Sequence, residues 1–249
     1  MTGLLSWAVK LVAILRHRDY WRALRLGVAA STEHANTPLP FDYATVLDVG
    51  ANRGQFALLA AHRFPAAQII CFEPLDVPRA TLERVFFDDS RVRVVGIALA
   101  ASARRSQMFV SAADDSSSLL APTALQLATF PRTNVVQQVS LTTERLDVLL
   151  DGEPPVRPAL LKIDVQGAEL DVLIGAEGIL GQIDTILVEC SFVELYTGQS
   201  MADDIVRFLH DHDFRLTGAV TPHVDAHRRI VQADLVFARH PGESASLAA

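Results

Sequence analysis

Four acids stand at or beside the carboxyl ends of short apolar runs: Asp48, Glu73, Asp164 and Glu189. Carboxylates at such places can accept hydrogen bonds from the hydroxyl and ammonium groups of a ligand. The first leads into Val49-Gly50-Ala51-Asn52-Arg53-Gly54-Gln55-Phe56. A strand, a glycine turn and a helix in that order make a nucleotide-binding corner. Glycine lets the backbone approach a ligand, and the new helix points free N–H groups at it. The turn departs from the dinucleotide pattern Gly-x-Gly-x-x-Gly. Aligned on Gly50, the first glycine is replaced by Asp48 and the third by Arg53. A carboxylate at position 48 repels pyrophosphate and suits an ammonium, which favours a cofactor with an amino-acid end. Glu73 stands where an acid takes both hydroxyls of a ribose, with no arginine directly after it.

These residues need a scaffold. Strands are expected at 45–49, 68–72, 92–99, 107–111, 135–142, 159–164, 185–188, 214–217 and 230–237, and helices at 55–63, 77–87, 168–175 and 201–211. The alternation predicts an α/β fold with a mostly parallel sheet, helices on both faces and the ligand beyond the carboxyl ends of the strands. The last two strands read as an antiparallel pair. The 249 residues, half of them hydrophobic, divide into a helical extension and linker (1–40), one domain (41–240) and a flexible tail (241–249).

Residues 4–15 are apolar apart from Ser6 and Lys10. They are fewer than the roughly 20 needed to span a bilayer. They also lack the charged start and small cleavage residues of a signal peptide. Two readings remain: a helix packed on the domain, or an interfacial helix with Lys10, Arg16, Arg18, Arg22 and Arg25 at lipid headgroups. A cytoplasmic protein is the expectation, with peripheral membrane contact following only from the second reading. Net charge of −7 argues against a nucleic-acid partner. Cys71 and Cys190 lie in apolar runs and read as buried thiols.

A nucleoside with free ribose hydroxyls, an amino-acid appendage and no pyrophosphate describes S-adenosylmethionine. NAD meets only the ribose condition. Val46-Leu47-Asp48-Val49-Gly50-Ala51-Asn52-Arg53-Gly54-Gln55, Phe72-Glu73-Pro74 and Leu161-Lys162-Ile163-Asp164-Val165-Gln166-Gly167-Ala168-Glu169 together resemble the FkbM family of class I methyltransferases, from about residue 46 to 237. Two positions depart from the pattern. Gln166 stands where the family most often has glutamate, and Ala168 where histidine is common. The resemblance implies a Rossmann-like, seven-stranded sheet whose last strand runs antiparallel. It implies that Asp48, Gly50, Ala51, Asn52, Gly54 and Gln55 line the methionine part of the cofactor, and that Glu73 and Pro74 hold the ribose end. Ser117 and Ser118 resemble a serine pair in a loop near the cofactor.

Methyl transfer from a sulfonium is an in-line displacement, so the protein supplies orientation and, for a hydroxyl acceptor, a base. Asp164 is the first candidate, with Glu169 the second catalytic candidate and Glu189 and His223 behind them. No resident metal is expected, although Asp164 with another acid could hold a divalent ion. His210 and His212 read as surface residues, and His223 and His227 as loop residues between the last strands. After the fourth core strand the chain reads Asp164-Val165-Gln166-Gly167, without the Asn/Asp-Pro-Pro-Tyr/Phe of base-methylating enzymes. The expected activity is O-methylation of a hydroxyl on a small metabolite, sugar or glycolipid. The alternatives are a non-catalytic S-adenosylmethionine-binding protein and a nicotinamide-dependent oxidoreductase.

Overall fold

The computed structural model describes residues 18–240. The apolar stretch 4–15 and the tail 241–249 lie outside the described residues, and with them the expectations about a packed or interfacial helix. Among the described residues no helix is long and apolar enough to cross a membrane.

Seven strands form the main sheet: β1 (Thr45–Val49), β2 (Gln68–Phe72), β3 (Val92–Val95), β7 (Ala159–Ile163), β8 (Thr185–Ser191), β9 (Phe214–Val224) and β10 (Ile230–Arg239). Their order is β3-β2-β1-β7-β8-β10-β9. The last strand, β10, runs antiparallel between β8 and β9, and the other pairs are parallel. This is the Rossmann-like arrangement expected from the sequence. The helices are α1 (Arg18–Arg25), α2 (Gln55–Arg63), α3 (Asp76–Val85), α4 (Ala124–Thr129), α5 (Leu146–Leu149), α6 (Glu169–Ile174) and α7 (Ala202–Asp211).

β1 and β7 are buried along their whole length, which is why they read as unbroken apolar runs. Alternate residues feed two cores. Leu47, Val49, Leu161, Ile163, Ile186 and Val188 pack with Leu173, Ile205 and Leu209 on one face. Val46, Ile69, Leu160, Leu187 and Val236 pack with Phe56, Leu59 and Leu82 on the other. The second face turns polar toward the strand ends. Asp48 is in register with Lys162, and two residues beyond Leu187 and before Val236 stand Glu189 and Asp234, themselves in register. Period-2 alternation therefore puts all four on the α2 side of the sheet.

Three expectations change. Residues 92–99 are not one strand. β3 ends at Val95, and Ala98–Leu99 (β4) joins a separate sheet with β5 (Arg104–Ser111) and β6 (Val135–Glu144), in the order β4-β6-β5. The strand begun at Phe214 continues to Val224, because it is held on β10 throughout. The segment 31–40 packs against the domain: Arg63 donates to the carbonyls of His34, Ala35 and Thr37, and Thr37 and Leu39 are buried. α1 docks similarly, Arg22 donating to Asp88 at 2.7 Å and to the Val85 carbonyl at 2.7 Å. Cys71 and Cys190 are buried free thiols on β2 and β8.

Gly50 takes φ 77°, and a Cβ there would stand 1.8 Å from the Asp164 carbonyl oxygen. Gly50→Ala must therefore push the ends of β1 and β7 apart. The expected cost is about 3 kcal/mol, combining left-handed strain with overpacking. Urea denaturation measures it as a lower midpoint at unchanged slope, and a loss below about 1 kcal/mol would show that the turn relaxes freely.

Candidate active site

The sheet register decides what surrounds the first acid. Lys162 lies beside Asp48 across the β1–β7 pair. Its Nζ is 3.3 Å from Asp48 Oδ1 and 3.6 Å from Asp164 Oδ2, donates to the Gly50 carbonyl at 3.4 Å, and lies 5.7 Å from the Phe56 ring centroid. Burial pulls the Lys162 pKa down, but Asp48 and Asp164 outweigh it and the net shift is upward. Burial pushes the Asp48 carboxyl up against the pull of Lys162. The ammonium keeps its proton, and Asp48 is the counter-charge nearest to it. Asp48 is wholly buried and lines neither cavity described below. This corrects the sequence reading: the ammonium that Asp48 meets comes from the protein's own Lys162.

Beyond β7 the chain turns sharply, with Gln166 at φ 60° and Gly167 at φ 104°. Glu169 holds this turn. Its carboxylate accepts from the Val165 N–H at 3.2 Å and from the Gly167 N–H at 2.9 and 3.0 Å. Burial pushes it up to about 7, against those donors. Glu169 lines neither cavity, so the second catalytic candidate becomes a residue that positions the loop. Gln166 ties the site together. Its Nε2 donates to Asp164 Oδ1 at 2.8 Å and to Glu189 Oε2 at 2.6 Å, and its Oε1 accepts from the Tyr196 hydroxyl at 2.8 Å. Its carbonyl accepts from Ser118 Oγ at 2.6 Å.

Two cavities meet over this loop and share Gly50, Asn52, Asp115, Asp164 and Gln166. The first is a narrow slot between Phe72, Pro74, Leu75, Ile97, Leu99 and Leu119, with Glu73 and Ser117 on its wall. Glu73 accepts from the Asn52 N–H at 3.0 Å and the Leu75 N–H at 2.8 Å. Ser117 Oγ accepts from the Ser111 N–H at 3.1 Å. Ser118 does not reach the slot wall and braces the loop instead. The second cavity is a chamber of about 760 Å³. Ala51, Asn52 and Gln55 line its near side, while Glu189, Gln232, Asp234, His34 and His223 line the rest. Gly54 sits at the N-terminus of α2 at φ 93°, where a Cβ would stand 2.5 Å from Leu82, so its work is packing. His223 lies in β9 and packs edge-on against Phe130 at 5.8 Å, whereas His227 sits in a surface turn closed by Asp225.

The carboxyls along the chamber differ. Burial pushes Asp164 up, but Lys162, Gln166 and Glu189 outweigh it and hold it below the usual range. Burial and then the charge of Asp164 push Glu189 well above. Burial, reinforced by Asp164, pushes Asp234 up to about 7. Asp234 Oδ2 lies 3.9 Å from His34 Nε2. Burial and the Lys162 charge lower His34. Lys162, Gln166 as a clamp, His34, Tyr196 and Asp234 received no role from sequence. A lysine inside a fully buried parallel strand, and polar Gln232 and Asp234 alternating with Val231, Ala233 and Leu235, are the signals that mark two of them. Among the described residues no cluster of His, Cys, Asp or Glu is arranged to hold a metal ion.

Residues 48–216 match the model of the methyltransferase FkbM domain. The chain belongs to the FkbM methyltransferase family. It is 29% identical over 160 residues to the 2-O-methyltransferase NoeI of Sinorhizobium fredii, covering 62% of this chain and 66% of that one. It is 28% identical over 195 residues to the methyltransferase sdnD of Sordaria araneosa, 69% of this chain and 74% of that one. Over 210 residues it is 31% identical to the AMB antimetabolite synthetase AmbE of Pseudomonas aeruginosa, 72% of this chain and 10% of that one. A solved FkbM methyltransferase from Methylobacillus flagellatus shares the fold at TM-score 0.54 and 16% identity, over 84% of this chain and 48% of that one. His34 and Asp234 both fall outside the matched FkbM span.

Removing the ammonium from this FkbM domain isolates a buried carboxylate. Lys162→Met is expected to cost about 3–5 kcal/mol of folding free energy. Adding Asp48→Asn removes the charge and should recover at least half of that loss. Urea denaturation of the two single variants and the double variant checks this double-mutant cycle, and strictly additive losses would mean the pair does not interact.

Proposed function

We propose that the protein is an S-adenosylmethionine-dependent O-methyltransferase acting on a hydroxyl of a small metabolite, sugar or glycolipid. One observation carries the reading: the narrow apolar slot and the large polar chamber meet at the glycine turn and Asp164. A nucleoside-bearing donor and a separate acceptor need such a pair of cavities with a shared wall.

The residues fit the donor. The slot offers apolar walls to a purine and Glu73 to a ribose. Both Glu73 oxygens accept backbone N–H groups at the slot wall, Asn52 N–H on one and Leu75 N–H on the other, which fixes the carboxylate in place beside the ribose position. Asn52 Oδ1 and Gln55 Oε1 are buried at the start of α2 without a donor. An ammonium, with three donors and no acceptor, satisfies both. When bound, S-adenosylmethionine supplies a methyl group on a positively charged sulfur, which an acceptor oxygen displaces. Asp164, held ionised at the junction, offers negative charge next to that position. Gln166 and Glu169 fix its loop, and Lys162 limits how far its charge spreads into the sheet. The chamber is rich in carboxylates and in buried amide and hydroxyl oxygens without donors, such as Gln126 Oε1 and Thr221 Oγ1, which complements an acceptor bearing hydroxyl donors. Identity to NoeI, named a 2-O-methyltransferase, supports oxygen as the target.

Calorimetric titration should give saturable binding of S-adenosylhomocysteine and none of NADH. Glu73→Ala should weaken that binding about 10- to 100-fold, the loss of hydrogen bonds to a charged acceptor. Binding of NADH instead would overturn the reading. So would failure of the full chain to transfer labelled methyl to any of a panel of glycosides and hydroxylated lipids.

A further inference from the structure

We propose that Asp234, paired with His34, is the general base that takes the acceptor hydroxyl's proton. The inference rests on the methyl-transfer reading above and assigns its proton step. The geometry of an in-line displacement sets the requirement. Sulfur, methyl and acceptor oxygen must lie along one line, so the base belongs on the far side of the acceptor from the donor. Asp164 stands on the donor's side: its carbonyl is the atom that a Cβ on Gly50 would strike, and the residue lines the slot as well as the chamber. Asp234 lines the chamber alone. It lies on β10, two strands along the sheet from β7. At the spacing of paired strands that is roughly 10 Å, room for one acceptor group between the two carboxyls.

The surroundings of Asp234 suit the task. Its side chain is 15% exposed and that of His34 is 12% exposed, both on the chamber wall. The titratable groups lining this chamber with it are His34 and Glu33 of the N-terminal segment, Asp115 of the loop after β5, Lys162 of β7, Asp164 of the loop after it, Glu189 of β8 and His223 of β9. Among the acids, Lys162 and Gln166 hold the Asp164 carboxyl below its usual range, while burial and the Asp164 charge raise Glu189, which Gln166 also engages. Asp234 has the chamber in front of it, and burial, its largest influence, places it near 7, where a base both accepts and releases a proton.

The step balances. The acceptor O–H bond breaks as the O–CH₃ bond forms, the S–CH₃ bond breaks with its pair left on sulfur as a thioether, and the proton passes to an Asp234 oxygen. The base is active when ionised, so kcat/KM should rise with pH through about 7 and level off above it.

Two measurements on the full chain test this. Carbon-13 NMR of the Asp234 carboxyl, with S-adenosylhomocysteine bound, should show a midpoint near 7. Asp234→Asn should lower kcat about 100-fold or more, by the usual worth of a general base, and abolish the acidic limb, while S-adenosylhomocysteine affinity stays within about threefold. His34→Asn should shift the limb and keep the affinity. A midpoint below about 5, or an Asp234→Asn enzyme that keeps both turnover and limb, overturns the assignment even when the wild type binds S-adenosylhomocysteine and transfers methyl. Wild-type protein that fails to bind S-adenosylhomocysteine overturns the methyl-transfer reading itself.

Discussion

One buried ammonium sets the terms for the rest of the site. Lys162 stands between Asp48 and Asp164, under the turn that ends β1. A carboxylate as enclosed as Asp48 is far too costly to leave without a partner, so neither residue is tolerable alone. A pair of this kind contributes little net stability compared with a well-packed apolar pair. It does fix alignment, because a one-residue slip of β7 against β1 would move Lys162 to the opposite, apolar face. The missing Cβ of Gly50 then lets the two strand ends close to contact. Charge pairing and the glycine are thus two halves of one constraint, which holds the carbonyl and carboxyl of Asp164 against the nucleotide corner.

From this anchor the polar row runs outward along the sheet, and its acids part in character because their surroundings differ. Asp164 has a cation and an amide donor beside it and stays ionised. Glu189 has carboxylates nearby, and burial together with their charge raises its pKa well above the usual range. Asp234 has His34 at one side and the open chamber at the other. Three carboxyls within one cavity are thereby shifted apart, Asp164 downward and Glu189 and Asp234 upward. Such separation is how a site assigns one acid to electrostatics and another to proton transfer.

Much of the frame was legible because strand order and motif spacing are local features. The apolar runs at 45–49 and from 159 form β1 and β7, the glycine turn follows β1, and Glu73 and Asp164 directly follow β2 and β7, as expected. What escaped depends on register, which the chain does not display one element at a time. That Asp48 faces Lys162 follows only once β1 is paired with β7. The same holds for Asp234, whose place opposite Glu189 needs the antiparallel pairing of β10. His34 escaped for another reason. Two prolines and polar residues made 31–40 read as a linker, yet Arg63 gathers its carbonyls and folds it over the chamber. Glu169, a catalytic candidate from sequence, accepts from the N–H groups of its own turn, and sequence cannot tell such a carboxylate from one aimed at a ligand.

Gln166 shows how a single departure from the FkbM pattern is absorbed. The hydrogen bonds through it have a direction. Gln126 Nε2 donates to the Tyr196 hydroxyl at 3.1 Å, Tyr196 donates to Gln166 Oε1, and Gln166 Nε2 donates to both Asp164 and Glu189. Only a side chain with an acceptor at one end and a two-proton donor at the other completes this chain. A glutamate in the same place could accept from Tyr196 but would need an extra proton to meet either acid, so the site's geometry would titrate. With the amide, the distance between Asp164 and Glu189 is held without a titrating proton in the clamp. The proton traffic of the chamber is then left to the carboxyls themselves.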